Sequence, residues 1–417
     1  MEKTNKSDYK VGIIIKIARK QADLTLRMLS QKASISPSNL SRIEKGTIEP
    51  SQQVIDKLLK VLNTSINHDH KKNTWFDQKT KRFYNLLMYM KYNEARTIYF
   101  EIIKEEAYLK TSSRILEYYF FRYVGIVNLR IDIPLLDECD ALLTFMEAAL
   151  DERLKPLYIV SKSIYYLLKS EFIKAREFLL SHVAHVNDLN TLGRMHYTIA
   201  FTLTNDYKYY HKALSYYQKA LKYFEQTLNY ERVNRCKAMQ QVLYVYLHQF
   251  NAFKETFEAT KKYTHSVKNM ALYHFTLVTQ AKYHIIKEEY SKALDLLETF
   301  EVDLAQYYFY KIFSYFRLNR TLEALNEIKR FKHKEGIIIS DLDKEFINLL
   351  EYGMNKGYDQ LYLTLAKQLL DFAHEQRDVL TIQLASLVYT YVLEKNRMYK
   401  EANRVMERFL NVLYNIQ

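Results

Sequence analysis

Apolar residues recur three and four positions apart along most of this chain, the spacing that gathers them on one face of an α-helix. Val11, Ile14, Ile15 and Ala18 form the first such stripe. Asp23-Leu24 breaks it, and Thr25 is placed to cap a second helix, Leu26–Ala33, in which Leu26, Leu29 and Ala33 repeat the stripe. After a three-residue connection, Ser36 caps a third helix with Pro37 at its first position, where a missing N–H costs nothing. That helix turns Leu40 and Ile43 inward and stops at Gly46, a left-handed residue just past its end. Pro50-Ser51 then opens a fourth helix through Val54, Ile55, Leu58, Leu59 and Leu62.

Two short helices joined by a tight turn make a helix-turn-helix, whose second member lies in the major groove of DNA. With Leu40 and Ile43 facing the core, Ser38, Asn39, Ser41 and Arg42 are left on outward or flanking faces. Arg42 suits the O6/N7 edge of guanine, or else a surface ion pair with Glu44. Ser38 and Asn39 are short groups within reach of bases or phosphates, and Thr25, at a positive helix end, suits a phosphate. Ser36 and Lys45 complete the candidate DNA-binding set. Charge agrees: residues 1–82 hold 17 Lys and Arg against 8 Asp and Glu, a net +9 of the whole chain's +13. Such concentration fits a polyanion docking at the N-terminus, although a solvated basic face has the same composition.

From about Phe83 the composition shifts to Tyr, Leu, Phe, Ala and Lys, and repeats become visible. In "YYHKALSYYQKALKYFEQ", Ala213, Tyr217 and Ala220 show the tetratricopeptide spacing, in which a small residue lets a paired helix approach closely. Equivalent positions are Ala95, Ala175, Phe253, Ala293, Ala324 and Ala402, separated by steps of 31 to 40 residues or about twice that. The two double steps leave room for degenerate units near Leu135–Leu142 and Leu361–Leu369, giving about nine helix pairs of about 39 residues. Only 7 Gly and 4 Pro occur in 417 residues, too few for sandwiches, barrels or glycine-rich nucleotide folds. The expected fold class is therefore all-α.

Candidate chemistry is sparse. Cys139 and Cys236 stand far apart with no CxxC, which argues against a disulfide framework or a zinc site and for a reducing compartment. No apolar run reaches about 18 residues, so no membrane partner is expected and the protein is read as soluble and cytoplasmic. Phosphate-binding glycine loops, HExxH and GxSxG are missing, and the pair His182/His185 has no accompanying carboxylates or thiols. No metal, cofactor or enzymatic activity is expected. Most of the 37 tyrosines read as packing residues, with a minority available to line a groove.

The stretch "TLRMLSQKASISPSNLSRIEKGTIEPSQQVIDKLLKVLN" resembles the helix-turn-helix of the phage Cro/repressor type. The likeness rests on Ser38, Leu40-Ser41-Arg42-Ile43-Glu44-Lys45-Gly46 and Pro50-Ser51, within about 55 residues. It departs at Ser34, where the turn often has Gly, and at the start of the second helix, which lacks the glutamine often found there. Together with the repeats, the chain resembles the RRNPP family of Gram-positive quorum-sensing peptide receptors, of the Rgg, NprR and PlcR type. That resemblance implies a lambda-repressor-like helix-turn-helix domain (1–66), a basic linker (67–82) and a right-handed tetratricopeptide-repeat superhelix (83–417). It further implies a transcription regulator acting as a homodimer on palindromic double-stranded DNA, with a short signalling peptide in the concave groove of the repeats. A response regulator is a conceivable second partner. The repeat frame anchored on Ala213 puts Thr202 and Asn205 on the concave side of that unit's first helix, and Arg235, Lys282 and Gln306 in the same groove on later units. In the alternative reading the repeats bind a protein, an antirepressor or response regulator, in place of a free peptide. In either reading, ligand changes the pitch of the repeats and the polar segment His68–Arg82 relays the change as a hinge.

Overall fold

The computed structural model describes residues 6–67, 69–147, 150–337 and 339–416. Among them the regular structure is helical, with one isolated bridge between Asn67 and Ser112. The chain divides into two units, Met1–Thr191 and Leu192–Gln417.

The first unit begins with four helices, α1 (Lys6–Gln21), α2 (Leu26–Ala33), α3 (Pro37–Glu44) and α4 (Gln52–Val61). Their core is Ile15, Leu29, Ala33, Leu40, Ile43, Leu58 and Leu62, with Val11 and Ala18 packed at its rim. Gly12 sets the closest approach. A Cβ there would fall 1.9 Å from the carbonyl oxygen of Ile43, so α1 and α3 meet at a separation only glycine permits.

Helix α1 also carries a second buried face that the single stripe does not express. Ile13, Ile14 and Ile17 join a different core, shared with Phe76, Phe83, Tyr118 and Tyr119. The cause is the unbroken run Ile13-Ile14-Ile15, which wraps around the helix and must be covered on both sides. Gln21 Nε2 donates to the Tyr119 hydroxyl at 2.5 Å on this second face.

Of the segment His68–Arg82, expected to be a hinge, His68 lies outside the described residues and 69–82 form the cap and first turns of helix α5 (His70–Met88). Asp69 accepts from the Lys72 N–H at 3.0 Å, and Phe76, Thr80 and Phe83 bury one face of the basic segment. The N–H of Asn67 donates to the Thr111 carbonyl at 2.7 Å. The four-helix head is thus joined to the repeats of its own unit by packed helix.

The remaining elements of this unit are α6 (Tyr92–Ile103), a short α7 (Glu106–Leu109), α8 (Ile115–Leu129), α9 (Leu136–Met146), α10 (Lys155–Leu168) and α11 (Phe172–His182). Helix α12 (Leu189–Leu203) carries the chain into the second unit. There follow α13 (Tyr210–Gln226), α14 (Tyr230–Tyr246), α15 (Phe250–Ser266), α16 (Met270–Ile286) and α17 (Tyr290–Leu297). Then come α18 (Ala305–Arg317), α19 (Thr321–Lys332), α20 (Asp341–Lys356), α21 (Gln360–Gln376), α22 (Val379–Lys395) and α23 (Tyr399–Ile416). Among the described residues these make nine successive helix pairs, and every repeat position read from the sequence falls on the second helix of its pair. Ala95, Ala175, Ala213, Ala293 and Ala324 are completely buried. In the second unit α14 packs on α16, α16 on α18, α18 on α20 and α20 on α22, so the first helices form a continuous inner row.

Glycine is scarce because the turns do without it. Leu228, His248, Lys268, Glu288 and Asn319, each just past a helix end, take left-handed backbone with φ between 53° and 60°. These L-residues accept a conformation that glycine adopts freely.

The second unit also closes on itself. Arg377, after α21, forms an ion pair with Asp206, before α13. Gln383 Nε2 of α22 donates to the Ile286 carbonyl at the end of α16, at 3.3 Å. Helix α23 packs against the turn Tyr207–Tyr209.

Candidate nucleic-acid interface and groove site

The head presents α3 as its sequence implies. Thr25 caps α2, its Oγ1 accepting from the Met28 N–H at 3.1 Å, and Ser36 caps α3 by accepting from the Asn39 N–H at 3.2 Å. Ser34, between the two helices, adopts the left-handed backbone at φ 55°, so the turn keeps its shape without the usual glycine. Ser36, Ser38, Asn39, Arg42 and Lys45 are exposed and Ser41 is half-buried, while Leu40 and Ile43 are sealed in the core.

Glu44 does not pair with Arg42. It is buried and held by Arg19 of α1, with Nε to Oε1 at 2.7 Å and the second guanidinium nitrogen to Oε2 at 2.8 Å. Arg19 also donates to the Leu24 carbonyl at 2.8 Å, so one side chain ties α1 to α3 and to the start of the turn. Among the described residues no carboxylate pairs with Arg42. Lys16, one turn before Arg19 and Lys20, adds positive charge that the sequence reading overlooked. Burial pulls its ammonium down to about 8, helped by Lys20, Arg19 and Lys45 and opposed by Glu44.

The five groove candidates separate in the structure. Thr202 is buried and its hydroxyl donates to the Ile199 carbonyl of its own helix at 2.7 Å. Asn205 lies in the loop beyond the end of α12, not on the helix as the frame had placed it, because α12 stops at Leu203. Gln306 is exposed at the start of α18. Arg235 is half-buried on α14, its Nε donating to the Tyr197 hydroxyl at 3.3 Å and its guanidinium lying 5.4 Å from the centre of the Phe275 ring.

Lys282 is also buried, in aromatic surroundings. It is 7% exposed on α16, donates to the Tyr246 hydroxyl at 2.9 Å, and lies 4.4 Å from the Tyr246 ring centre and 5.9 Å from that of Tyr310. Tyr210 stacks on Tyr246 with centroids 5.5 Å apart and planes 16° from parallel. Desolvation lowers the Lys282 ammonium to about 8, although Asp378 and Asp343 both pull it up. Asp343 is in turn raised by burial and by Asp378, against Ser340 and Lys282. Burial lifts the Tyr210 and Tyr310 phenols well above their usual range, and the charge of Asp378 adds to both. Tyr210, Tyr246, Lys282 and Tyr310, from α13, α14, α16 and α18, therefore meet in one buried cluster. Sequence reasoning found only its lysine. The tyrosines come from separate repeats.

Two buried cations of the first unit meet carboxylates. Arg122 lies 3.6 Å from both Glu106 and Asp132, and Lys162 reaches the two oxygens of Asp140 at 2.6 and 2.7 Å. Among the described residues there is no cluster of three or more potential metal ligands, and no helix is long and apolar enough to cross a membrane.

A helix-turn-helix family profile matches residues 15–68. No curated protein sequence matches the chain. Among solved structures, a Rap protein complexed with competence and sporulation factor superposes with a TM-score of 0.64 at 13% identity, over 82% of this chain and 99% of that one. The apo form of the quorum sensor NprR from B. thuringiensis gives 0.56 at 16% identity, over 83% and 100%. The apo form of RapI gives 0.54 at 14%, over 82% and 98%. These likenesses establish the fold, an N-terminal helix-turn-helix followed by tetratricopeptide-like helical repeats.

Proposed function

We propose that this chain is a sequence-specific DNA-binding transcription regulator controlled by a short peptide bound among the inner helices of its repeats. The observation that carries the DNA half is the diversion of Glu44 to Arg19, which leaves Arg42 exposed beside Ser38 and Asn39 on the leading face of α3. An arginine there can fork onto guanine, while Thr25, Ser36, Ser41 and Lys45 position the helix against phosphates. One such head buries too little surface for tight specific binding, so a homodimer on a palindromic operator is the working form.

The peptide half is supported by the buried cluster around Lys282 and by the fold it shares with a quorum sensor and with a Rap protein complexed with competence and sporulation factor. Arg235 and Lys282 stand on the inner row, with Thr202, Asn205 and Gln306 as outlying candidates. A second reading, a protein partner on the repeats, draws on Leu228, Tyr230, Val267 and Met270, which leave apolar side chains exposed at successive turns.

The test is calorimetric titration with synthetic peptides of about 5–10 residues, taken from short reading frames beside the gene, alongside a gel-shift assay on the upstream palindrome. Binding that changes operator affinity supports the peptide reading. Operator binding indifferent to every peptide transfers the reading to a protein partner, and loss of all sequence preference in DNA binding defeats both.

A further inference from the structure

The first turns of α5 and the connecting helix α7 leave a cleft of about 400 Å³ between them, lined by Lys71, Lys72, Trp75, Glu105, Tyr108 and Leu109. That is the size of a small-molecule site. The cleft belongs to the first unit, at the joint where the Asn67 N–H bonds to the Thr111 carbonyl. Two of its walls are aromatic. Trp75 and Tyr108 pack on the core of the unit and are only half-buried, and Leu109 beside them is completely buried. Tyr108 is fixed in place, its hydroxyl accepting from the Asp69 N–H at 3.1 Å and donating to Asn73 Oδ1 at 3.0 Å.

The charges of the lining are not balanced. Lys72 and Glu105 neutralise each other at 2.8 Å, with the ammonium 5.0 Å from the Tyr108 ring centre. Asp69 lines a more open hollow next to the cleft and accepts from the Lys72 N–H at 3.0 Å as a helix cap. Lys71 is exposed at the rim, and among the described residues no carboxylate pairs with it. The one unpaired charge of the lining is therefore positive, and it stands beside two ring walls.

We propose that this cleft is a small-molecule site for an aromatic carboxylate, its ring lying against Tyr108 and Trp75 and its carboxylate meeting the Lys71 ammonium. Ring on ring adds directional attraction to the burial of apolar area, and a charge-assisted bond fixes the orientation. Backbone phosphates of DNA would meet Lys71 but leave both ring walls unused. The inference does not depend on what the repeats bind.

The test is calorimetry on the full-length protein with naphthoate, its neutral isostere naphthamide, the cation naphthylmethylammonium and the saturated decalin carboxylate. Trp75 is the chain's only tryptophan, so quenching of its emission reports binding at the cleft itself. Naphthoate should bind about tenfold more tightly than the amide, and the cation and the saturated acid more weakly than naphthoate. Lys71→Met should bring naphthoate down to the level of the amide with an unchanged melting temperature. Tyr108→Leu should weaken naphthoate and amide together and Tyr108→Phe should restore both, which separates a lost ring from a lost hydroxyl. No binding, equal binding of anion and cation, equal binding of the saturated acid, or a naphthoate affinity indifferent to Lys71→Met would overturn the inference. Shielding of Trp75 from acrylamide by operator DNA, lost in Lys71→Met, would also overturn it and give the lysine to a phosphate.

Discussion

Arg19, Arg122 and Lys162 in the first unit and Lys282 in the second are all buried cations, but their surroundings differ in kind. The first three meet carboxylates at ion-pair distance: Arg19 with Glu44, Arg122 with Glu106 and Asp132, Lys162 with Asp140. Lys282 meets a phenol and two ring faces, and its nearest acids lie beyond pairing distance. A matched buried pair strongly penalises loss of either partner, which suits a scaffold that must present α3 in one orientation. An unmatched one leaves interaction energy unspent, which suits a receiving site. The proposed division of labour, a rigid reader and a responsive receiver, follows from which charges are already satisfied.

The largest expected effect lies in the reader. Glu44→Ala strands the Arg19 guanidinium in the head's core and should destabilise that region by about 3–5 kcal/mol, seen as early unfolding in chemical denaturation. Lys282→Met, read in the same assay near neutral pH, should carry no such penalty and leave the protein at least as stable as the parent. Equal penalties would erase the contrast between the two regions.

Next, Arg42→Ala should weaken operator binding by about 1–3 kcal/mol and relax base preference at one position, measured by fluorescence anisotropy. The unfolding transition should not move, since Arg42 packs against nothing in the core. A variant that binds as tightly as the parent would remove Arg42 from the interface.

A third expectation concerns pH. Below about 8, Lys282 carries its proton in both folded and unfolded chains. Between about 8 and the ordinary value of 10.5 the folded chain has released a proton that the unfolded chain keeps. Stability therefore rises with pH across that window. The opposing neighbours are Asp343 and Asp378, which hold the proton on, and the buried phenols Tyr246 and Tyr310, which titrate above the window. The stability of the parent relative to Lys282→Met should accordingly increase from pH 8 to 10; a level difference would show that the lysine is solvated.

The smallest effect is a gain. Lys268→Gly relieves a left-handed L-residue at an exposed turn and should stabilise the second unit by about 0.5 kcal/mol, provided the turn keeps its geometry. Thermal denaturation of the two proteins would measure it.

How much of this was legible in the sequence depends on the distance between interacting residues. Caps at Thr25 and Ser36, Pro37 at a first helical position and Gly46 past α3 are local signals, and the head follows them. The small residues from Ala95 to Ala402 mark second helices because close helix packing leaves room for little else. The tie from Arg19 to Glu44 and the closure from Asp206 to Arg377 join residues far apart in the chain, and no local periodicity encodes them. The basic run around Lys71, Lys72 and Lys79 looked like a solvated hinge, because charge on one face concealed Phe76 and Phe83 on the other. The groove frame misplaced Asn205 because α12 ends at Leu203, a boundary with neither glycine nor proline to mark it.

The two-sided helix α1 has a consequence for synthesis. It is translated before every other described helix, yet Ile13 and Ile17 are covered only by a core that includes Tyr118 and Tyr119. The nascent head therefore carries an adhesive isoleucine surface until well over a hundred residues have been translated. Truncations ending before α8 would leave that surface bare and prone to aggregation, whereas a break after α11 would release the head with both of its faces dressed.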